Sequence, residues 1–333
     1  MSATGENKFA LETLALMPTW HCDVACHHCV FESSPRLTRT LGLDLALEAI
    51  AQAAGSTAAR RVTLSGGEPF LRADYLLAIA KAAASSGLAF RVVSNGTFGR
   101  DARAANELLT ELLSIGVESI SISWDAFHEQ FIEPSAVAAA IRACRALGIS
   151  VRLTAVVTRT HDLGAALSAL GDEGFELPAT QVKCLPVGRA RKKVKAHDLI
   201  PAAEHERGRA CGSDFDTLAL TPDGRVYPCC AVGGFTEGIA LGKFPESSLA
   251  QLLTRRDREL KWVALAAQGP RFFSDRMTEP GRAALQLDEG LHDCVQCNRI
   301  FGCQAGRDAA ERILDDVRKA ANDMLVRAAA NAG

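Results

Sequence analysis

Glu12-Thr13-Leu14-Ala15-Leu16-Met17-Pro18 runs almost directly into His21-Cys22-Asp23-Val24-Ala25-Cys26-His27-His28-Cys29: an apolar run of strand length, then a loop whose three cysteines are spaced C-x3-C-x2-C. With 11 cysteines in 333 residues, any one cysteine has two more at these offsets by chance about one time in a thousand. Three thiolates close together in a loop suit an iron–sulfur cluster, in which each iron takes one thiolate. They leave one iron of a four-iron cluster open to a substrate. Zinc is the other metal that fits, with His21, His27 or His28 as its fourth ligand.

Outward from this loop, the chain alternates apolar runs with amphipathic helical stretches as far as about residue 185. Strands are predicted at Glu12–Pro18, Arg61–Ser65, Phe90–Ser94, Ser119–Ser123, Ser150–Val157 and Gln181–Leu185, with helices near 43–54, 72–86, 101–115, 133–146 and 162–172. Strands separated by helices make parallel βαβ units. Six units make an α/β fold of partial (β/α)6 barrel type, with its chemistry at the C-terminal strand ends. After Pro186 the pattern breaks. The basic stretch Arg189–Lys195 reads as a solvated connection, Phe215–Leu220 and Arg225–Tyr227 as a hairpin turning at Thr221-Pro222-Asp223-Gly224, and 306–330 as a long terminal helix. The expected division is a barrel over 12–190 and a small cysteine-rich C-terminal domain with its terminal helix over 191–333.

The cysteine loop resembles the signature of the radical S-adenosylmethionine (SAM) superfamily, and further matches follow the next strands in order. Gly66-Gly67-Glu68-Pro69 is similar to the family's GGE motif, which implies that its backbone and Glu68 hold the SAM amino group. Ser94-Asn95-Gly96 and Ser123-Trp124-Asp125 resemble positions near the SAM ribose and carboxylate. The resemblance spans roughly 12–190 and departs at His28, where the family often carries an aromatic residue. It implies metal ligation by Cys22, Cys26 and Cys29, cofactor contacts from Gly66, Gly67, Glu68, Pro69, Ser94, Asn95, Ser123 and Asp125, and reductive cleavage of SAM to a 5′-deoxyadenosyl radical that takes hydrogen from a substrate carbon.

A second cysteine group, Cys211, Cys229, Cys230, Cys294, Cys297 and Cys303, lies beyond the barrel. It resembles the auxiliary-cluster extensions called SPASM and twitch domains, as do Thr221–Cys229 and Leu185–Ala190. The longer SPASM pattern asks for a cysteine where Arg307 stands. The shorter pattern needs four, and Cys211, Cys229, Cys294 and Cys297 supply them. Cys303 either replaces one of these or belongs to a second, incompletely ligated cluster, and Cys230 either stands in for Cys229 or is spare. At least one auxiliary [4Fe–4S] cluster is implied; a zinc ribbon is the alternative. Cys144 reads as a buried small residue. Cys184, at the end of strand 6, is either core packing or a thiol near the substrate. Arg189 is a candidate for steering a substrate proton.

The net charge of -2 offers no footprint for nucleic acid or an anionic membrane. No apolar run reaches a membrane span, and Met1–Leu11 does not read as a secretory signal, which points to the cytoplasm. The resemblance implies a radical SAM enzyme of oxidoreductase or isomerase type, supplied with electrons by a flavodoxin or ferredoxin. The expected substrate is a ribosomally made peptide that is cross-linked, epimerised or oxidised. Only about 20 residues precede the cysteine loop, so leader recognition is expected from a separate protein. A dehydrogenase or epimerase of a small molecule such as an amino sugar is the alternative, and a non-catalytic iron–sulfur or zinc protein a third reading.

Overall fold

The computed structural model describes residues 10–211 and 215–331. Most of the N-terminal stretch read for a signal sequence, residues 1–9, lies outside the described residues. Thirteen elements open the chain: β1 (Thr13–Leu16), α1 (Leu43–Ser56), β2 (Arg61–Leu64), α2 (Ala73–Ser85), β3 (Ala89–Ser94), α3 (Ala102–Ile115), β4 (Val117–Ser123), the short α4 (Ala126–Glu129), α5 (Pro134–Ala146), β5 (Ser150–Val157), α6 (Leu163–Ala169), α7 (Asp172–Phe175) and β6 (Ala179–Lys183). Successive strands from β1 to β6 pair in parallel.

Local sequence explains the boundaries. Asp101 caps α3 by accepting from the N–H groups of Arg103 and Ala104, and Gly116 ends that helix in the left-handed region. Pro134 opens α5, where its missing N–H costs nothing. The strands bury alternate residues: Phe90 and Val92 on β3, and Leu153 and Ala155 on β5, join the core. Val93, Thr154 and Val156, one step out of phase, face a cavity inside the barrel instead.

The C-terminal part contains α8 (Ala190–Lys193), β7 (Thr217–Leu220), β8 (Arg225–Tyr227), β9 (Gly242–Lys243), α9 (Leu249–Arg258), α10 (Leu260–Gln268), α11 (Arg271–Ser274), α12 (Glu279–Ala284), α13 (Asp293–Phe301) and α14 (Gln304–Asn331). The hairpin forms at β7–β8, but it does not stand apart from the barrel. β7 pairs in parallel with β1, Thr13 against Thr217 through Leu16 against Leu220. The two strands carry the same four residues, Thr-Leu-Ala-Leu. One nine-stranded sheet results, in the order β6-β5-β4-β3-β2-β1-β7-β8-β9. β1 would otherwise leave a row of unpaired backbone groups beside a buried apolar strand, and β7 satisfies them. α9 is tied to the barrel's first helix, with the Leu249 N–H donating to Gln52 Oε1. The terminal helix packs through Ala310, Ile313 and Leu314, while Met324 and Leu325 further along are exposed. Among the described residues no helix is long and apolar enough to cross a membrane.

Candidate functional site

The loop after β1 is held at its ends by bridges between Thr19 and Thr40 and between His21 and Ser34. The turn after β2 then packs onto it through backbone alone. Gly67 N–H donates to Thr19 O at 2.7 Å and Glu68 N–H to His21 O at 2.9 Å. A Cβ on Gly67 would lie 1.7 Å from His21 O, so no other residue fits.

Cys22, Cys26, His28, Cys29, Gly66, Gly67, Ser94, Asn95, Ser123 and Asp125 all line one cavity of about 240 Å³ at the C-terminal ends of the strands. Glu68 and Pro69 do not line it. Glu68 is buried, and its carboxylate accepts from Phe70 N–H and Ser94 Oγ on one oxygen and from Asn95 N–H on the other. Burial raises its pKa to about 7, against those three hydrogen bonds. The expected partner of the SAM amino group is thus a brace between the strand 2 and strand 3 turns, because Ser94 and Asn95 present donors to it first. Asn95 in turn donates from Nδ2 to Asp23 Oδ1 at 2.8 Å, inside the cysteine loop.

Asp125 is a second hub. One oxygen accepts from Phe127 N–H, His128 N–H and His128 Nδ1; the other accepts from Val156 N–H at 3.0 Å and stands 3.4 Å from His28 Nε2. Burial opposes its charge, yet the His128 ring beside it prevails and holds the carboxyl well below the usual range. His128 is pushed well above its usual value by the same pairing, again against burial. The His28 ring meets Phe127 edge-on, with centroids 5.1 Å apart, so this departure from the family pattern is absorbed in a ring cluster.

The second group gathers elsewhere. Cys211, Cys229, Cys294 and Cys297 line a cavity of about 390 Å³. Cys294 and Cys297 stand one turn apart on α13, whose N-cap His292 accepts from Cys294 N–H. Asp293 draws in the Cys211 segment by accepting from Gly208 N–H at 2.9 Å and Arg209 N–H at 2.7 Å. The Gly233 and Gly234 backbone lies so near that added Cβ atoms would fall 1.9 Å from Cys294 O and 2.6 Å from Cys229 Sγ.

The thiols fit clusters better than single ions. Burial pushes Cys22, Cys229 and Cys297 well above ordinary thiol values, so a cationic group is needed to hold them as thiolates. One zinc ion with Zn–S bonds of about 2.3 Å would draw its ligands together within about 4 Å. Among the described residues, the only trio of His, Cys, Asp or Glu ligand atoms within 4.8 Å of one another is Cys26, His28 and His128. Neither cysteine set closes to that spacing.

Three candidate residues lie outside the linings of these two cavities. Cys303 is exposed and lines a separate cavity with Pro186, Phe235 and Arg299, because the chain turns at Gly302 after α13. Cys184 is buried, its N–H continues the β5–β6 ladder to Val157 O, and burial together with Asp125 pushes its thiol up to about 12. The structure does not place it on the cofactor cavity. Arg189 turns inward, donating to Cys26 O and Ser33 O at 2.7 Å each, and it holds the cysteine loop. Cys144 is fully buried in α5, as expected. Asp23, His128, Asp293 and the Gly233–Gly234 pair escaped sequence reading. Their signal was proximity to the motifs, which for Asp293 was its place beside Cys294.

Comparison with known proteins agrees with this geometry. Residues 16–163 match the radical SAM superfamily and residues 211–276 an iron–sulfur cluster-binding SPASM domain. Among curated relatives, the putative peptide biosynthesis protein YydG of Bacillus subtilis is 24% identical over 87% of this chain and 92% of its own length. The antilisterial bacteriocin subtilosin biosynthesis protein AlbA of the same organism is 24% identical over 84% of this chain and 67% of its own. Two solved structures share the fold at 13% identity. Streptococcus suis SuiB bound to precursor peptide SuiA has a TM-score of 0.58, covering 89% of this chain and 72% of SuiB. The enzyme anSMEcpe with bound AdoMet has a TM-score of 0.55, covering 92% of this chain and 98% of anSMEcpe. The chain thus carries a radical SAM domain and, behind it, a SPASM-type iron–sulfur cluster-binding domain, the build of a radical SAM enzyme.

Proposed function

We propose that this enzyme modifies a ribosomally made peptide at a carbon centre, in a cleft between the β5–β6 rim of the barrel and the auxiliary cysteine site. The observation that carries this reading is a cavity of about 650 Å³ running from the strand ends at Val157, Val182 and Leu185 to Val232 and Cys294 of the auxiliary site. Its floor is the barrel rim and its far wall the auxiliary region, which leaves room for a stretch of extended chain. The names of YydG and AlbA, and the peptide bound to SuiB, support a peptide over a small molecule.

In this reading Cys22, Cys26 and Cys29 hold the SAM-binding cluster, and Cys211, Cys229, Cys294 and Cys297 hold an auxiliary one. When bound, the first cluster supplies an open iron and the electron that cleaves SAM. Gly66, Gly67, Ser123 and Asn95 border the space for SAM, and Glu68 and Asp125 fix the turns that present them. Val93, Thr154 and Val156 give that space an apolar wall, which excludes water from a radical. The barrel accounts for 12–190 and the auxiliary region for 191–333, sharing one sheet. An external low-potential donor such as a flavodoxin or ferredoxin provides the electron.

The test is incubation of anaerobically reconstituted enzyme, SAM and reductant with any short precursor peptide found encoded beside its gene and, in parallel, with an amino sugar. A product peptide two hydrogens lighter marks an oxidoreductase; one deuterium gained from heavy water at unchanged hydrogen count marks an isomerase. An unaltered peptide, with an amino sugar consumed in its place, would overturn the peptide reading.

A further inference from the structure

We infer that the four residues Gly188–Arg191 form a latch that couples the two cysteine sites, with Arg189 as the positioning residue of the SAM-cluster loop. The inference rests on the assignment of Cys22, Cys26 and Cys29 to that cluster.

One end of the latch grips the loop at three points. The Arg189 N–H donates to Cys29 O at 3.0 Å, and its two guanidinium nitrogens donate to Cys26 O and Ser33 O at 2.7 Å each. Two of these carbonyls belong to cluster cysteines. A guanidinium spans two acceptors in a fixed fork, which an ammonium does not, and charge-assisted bonds of this kind are stronger than neutral ones. Gly188 is pressed against the same loop. Its φ is +54°, and a Cβ there would lie 2.4 Å from Val30 O and 2.6 Å from Cys29 O. Only glycine allows both the left-handed backbone and the approach.

The other end reaches the auxiliary site. The Arg191 guanidinium donates to Asn298 Oδ1, and Asn298 directly follows Cys297 on α13. Beside the latch, Phe31 of the loop meets the ring of Phe235 from the auxiliary region at 4.8 Å. The loop that holds one cysteine set is therefore bonded, through four consecutive residues, to the helix that holds the other. The chain reaches the latch straight from β6, so the barrel edge fixes its entry.

The geometry has two consequences. Ordering of the auxiliary site steadies the SAM-cluster loop, and Arg189 places a fixed positive charge beside that loop. Loss of this charge disfavours the more negative, reduced cluster and moves its potential to more negative values.

Hydrogen exchange of the metal-free protein over residues 26–34 reads the latch without any cluster or turnover. Arg189→Ala is expected to speed exchange there at least tenfold while exchange in the β3 and β4 strands stays as in the parent. Arg189→Lys is expected to remain fast in that segment, because one ammonium does not bridge Cys26 O and Ser33 O, yet to keep the parent potential in an EPR-monitored titration of the reconstituted protein. Arg189→Ala lowers that potential. Arg191→Ala is expected to speed exchange in 26–34 by a smaller factor, through α13. Parent-like exchange at 26–34 in Arg189→Ala, or in Arg191→Ala, overturns the latch. If Arg189→Ala fails to fold, Arg189→Lys carries the exchange test. Should SAM cleavage survive loss of all three loop cysteines, the cluster assignment fails, and the exchange result still stands or falls by itself.

Discussion

Glu68 illustrates how a motif residue acts through its neighbours. Both carboxylate oxygens accept hydrogen bonds, so an amide in its place turns a donor toward a donor. Glu68→Gln is expected to cost the metal-free protein about 1–3 kcal/mol, the penalty for one buried unpaired donor. Denaturant titration reads this; an unchanged midpoint would return Glu68 to a role in SAM contact alone. Its titration adds a pH signature. The folded carboxyl has its pKa raised to about 7, so the folded state binds more protons than the unfolded state between the ordinary glutamate value of 4.5 and that point. Glu68 therefore favours folding most at low pH, and its contribution declines as pH rises through this window. The stability difference between parent and Glu68→Gln should shrink over that range by on the order of 3 kcal/mol and level off above it. Cys184 is the plainer case. Buried and not among the residues lining the cofactor cavity, it reads as a packing residue, and Cys184→Ala should cost about 1 kcal/mol of stability while SAM cleavage and product formation continue. Stalled product formation with intact SAM cleavage would make it a hydrogen donor.

At the scale of elements, the proposed auxiliary site draws two of its four thiols from α13, one helical turn apart. Cys294 and Cys297 fall on one face, and the N-cap His292 and the Asp293 bonds to residues 208 and 209 fix that face toward Cys211. Cys294→Ser with Cys297→Ser is expected to halve the iron, from about eight to about four per chain, and to leave the loop after β1 able to bind its cluster. Retention of about eight irons would remove α13 from the auxiliary site. Cys303→Ser, two residues beyond the helix end, should keep the full iron content. The strand ends obey a similar geometry. Alternation on β3 and β5 sends Val92, Leu153 and Ala155 to the core and Val93, Thr154 and Val156 to the cavity, so a one-residue slip would exchange core and cofactor wall.

For the whole molecule, the decisive feature is that one sheet carries both cysteine sites. β1 leads into the first set, its partner β7 leads through β8 into Cys229, and the cleft at the β5–β6 ends is closed on its far side by Val232 and Cys294 of the second set's surroundings. Hydrogen removed from a substrate carbon in this enclosed space should end on 5′-deoxyadenosine. With unlabelled substrate in heavy water, the 5′-deoxyadenosine is expected to carry no solvent deuterium, which mass spectrometry reads directly. Substantial solvent deuterium in it would mean that the radical escapes its substrate, and that the cleft is open to water at the moment of reaction.

Much of this was legible in the residues themselves. The period-two and helical patterns located all six barrel strands within a few residues, because parallel strands and their helices declare themselves by local burial. The cysteine spacings named two metal sites, because ligands on one loop or one helical turn must be near in sequence to be near in space. The terminal helix was legible for the same reason, beginning at Gln304 against an expected 306. Tertiary structure alone decided the rest. That Thr217–Leu220 pairs with Thr13–Leu16 is a contact across 200 residues, and no local period encodes it. Arg189 read as solvated because its charge favours water. It turns inward only because the fold brings Cys26 O and Ser33 O, more than 150 residues earlier, to where a guanidinium bridges both. Glu68 and Asp125 sit in motifs the sequence displays, but the partners that tie them across the fold, Ser94 and Asn95 for one and Val156 for the other, come from other strand ends. Sequence fixes what is adjacent along the chain, whereas the tasks of buried charges are set by donors that only packing assembles.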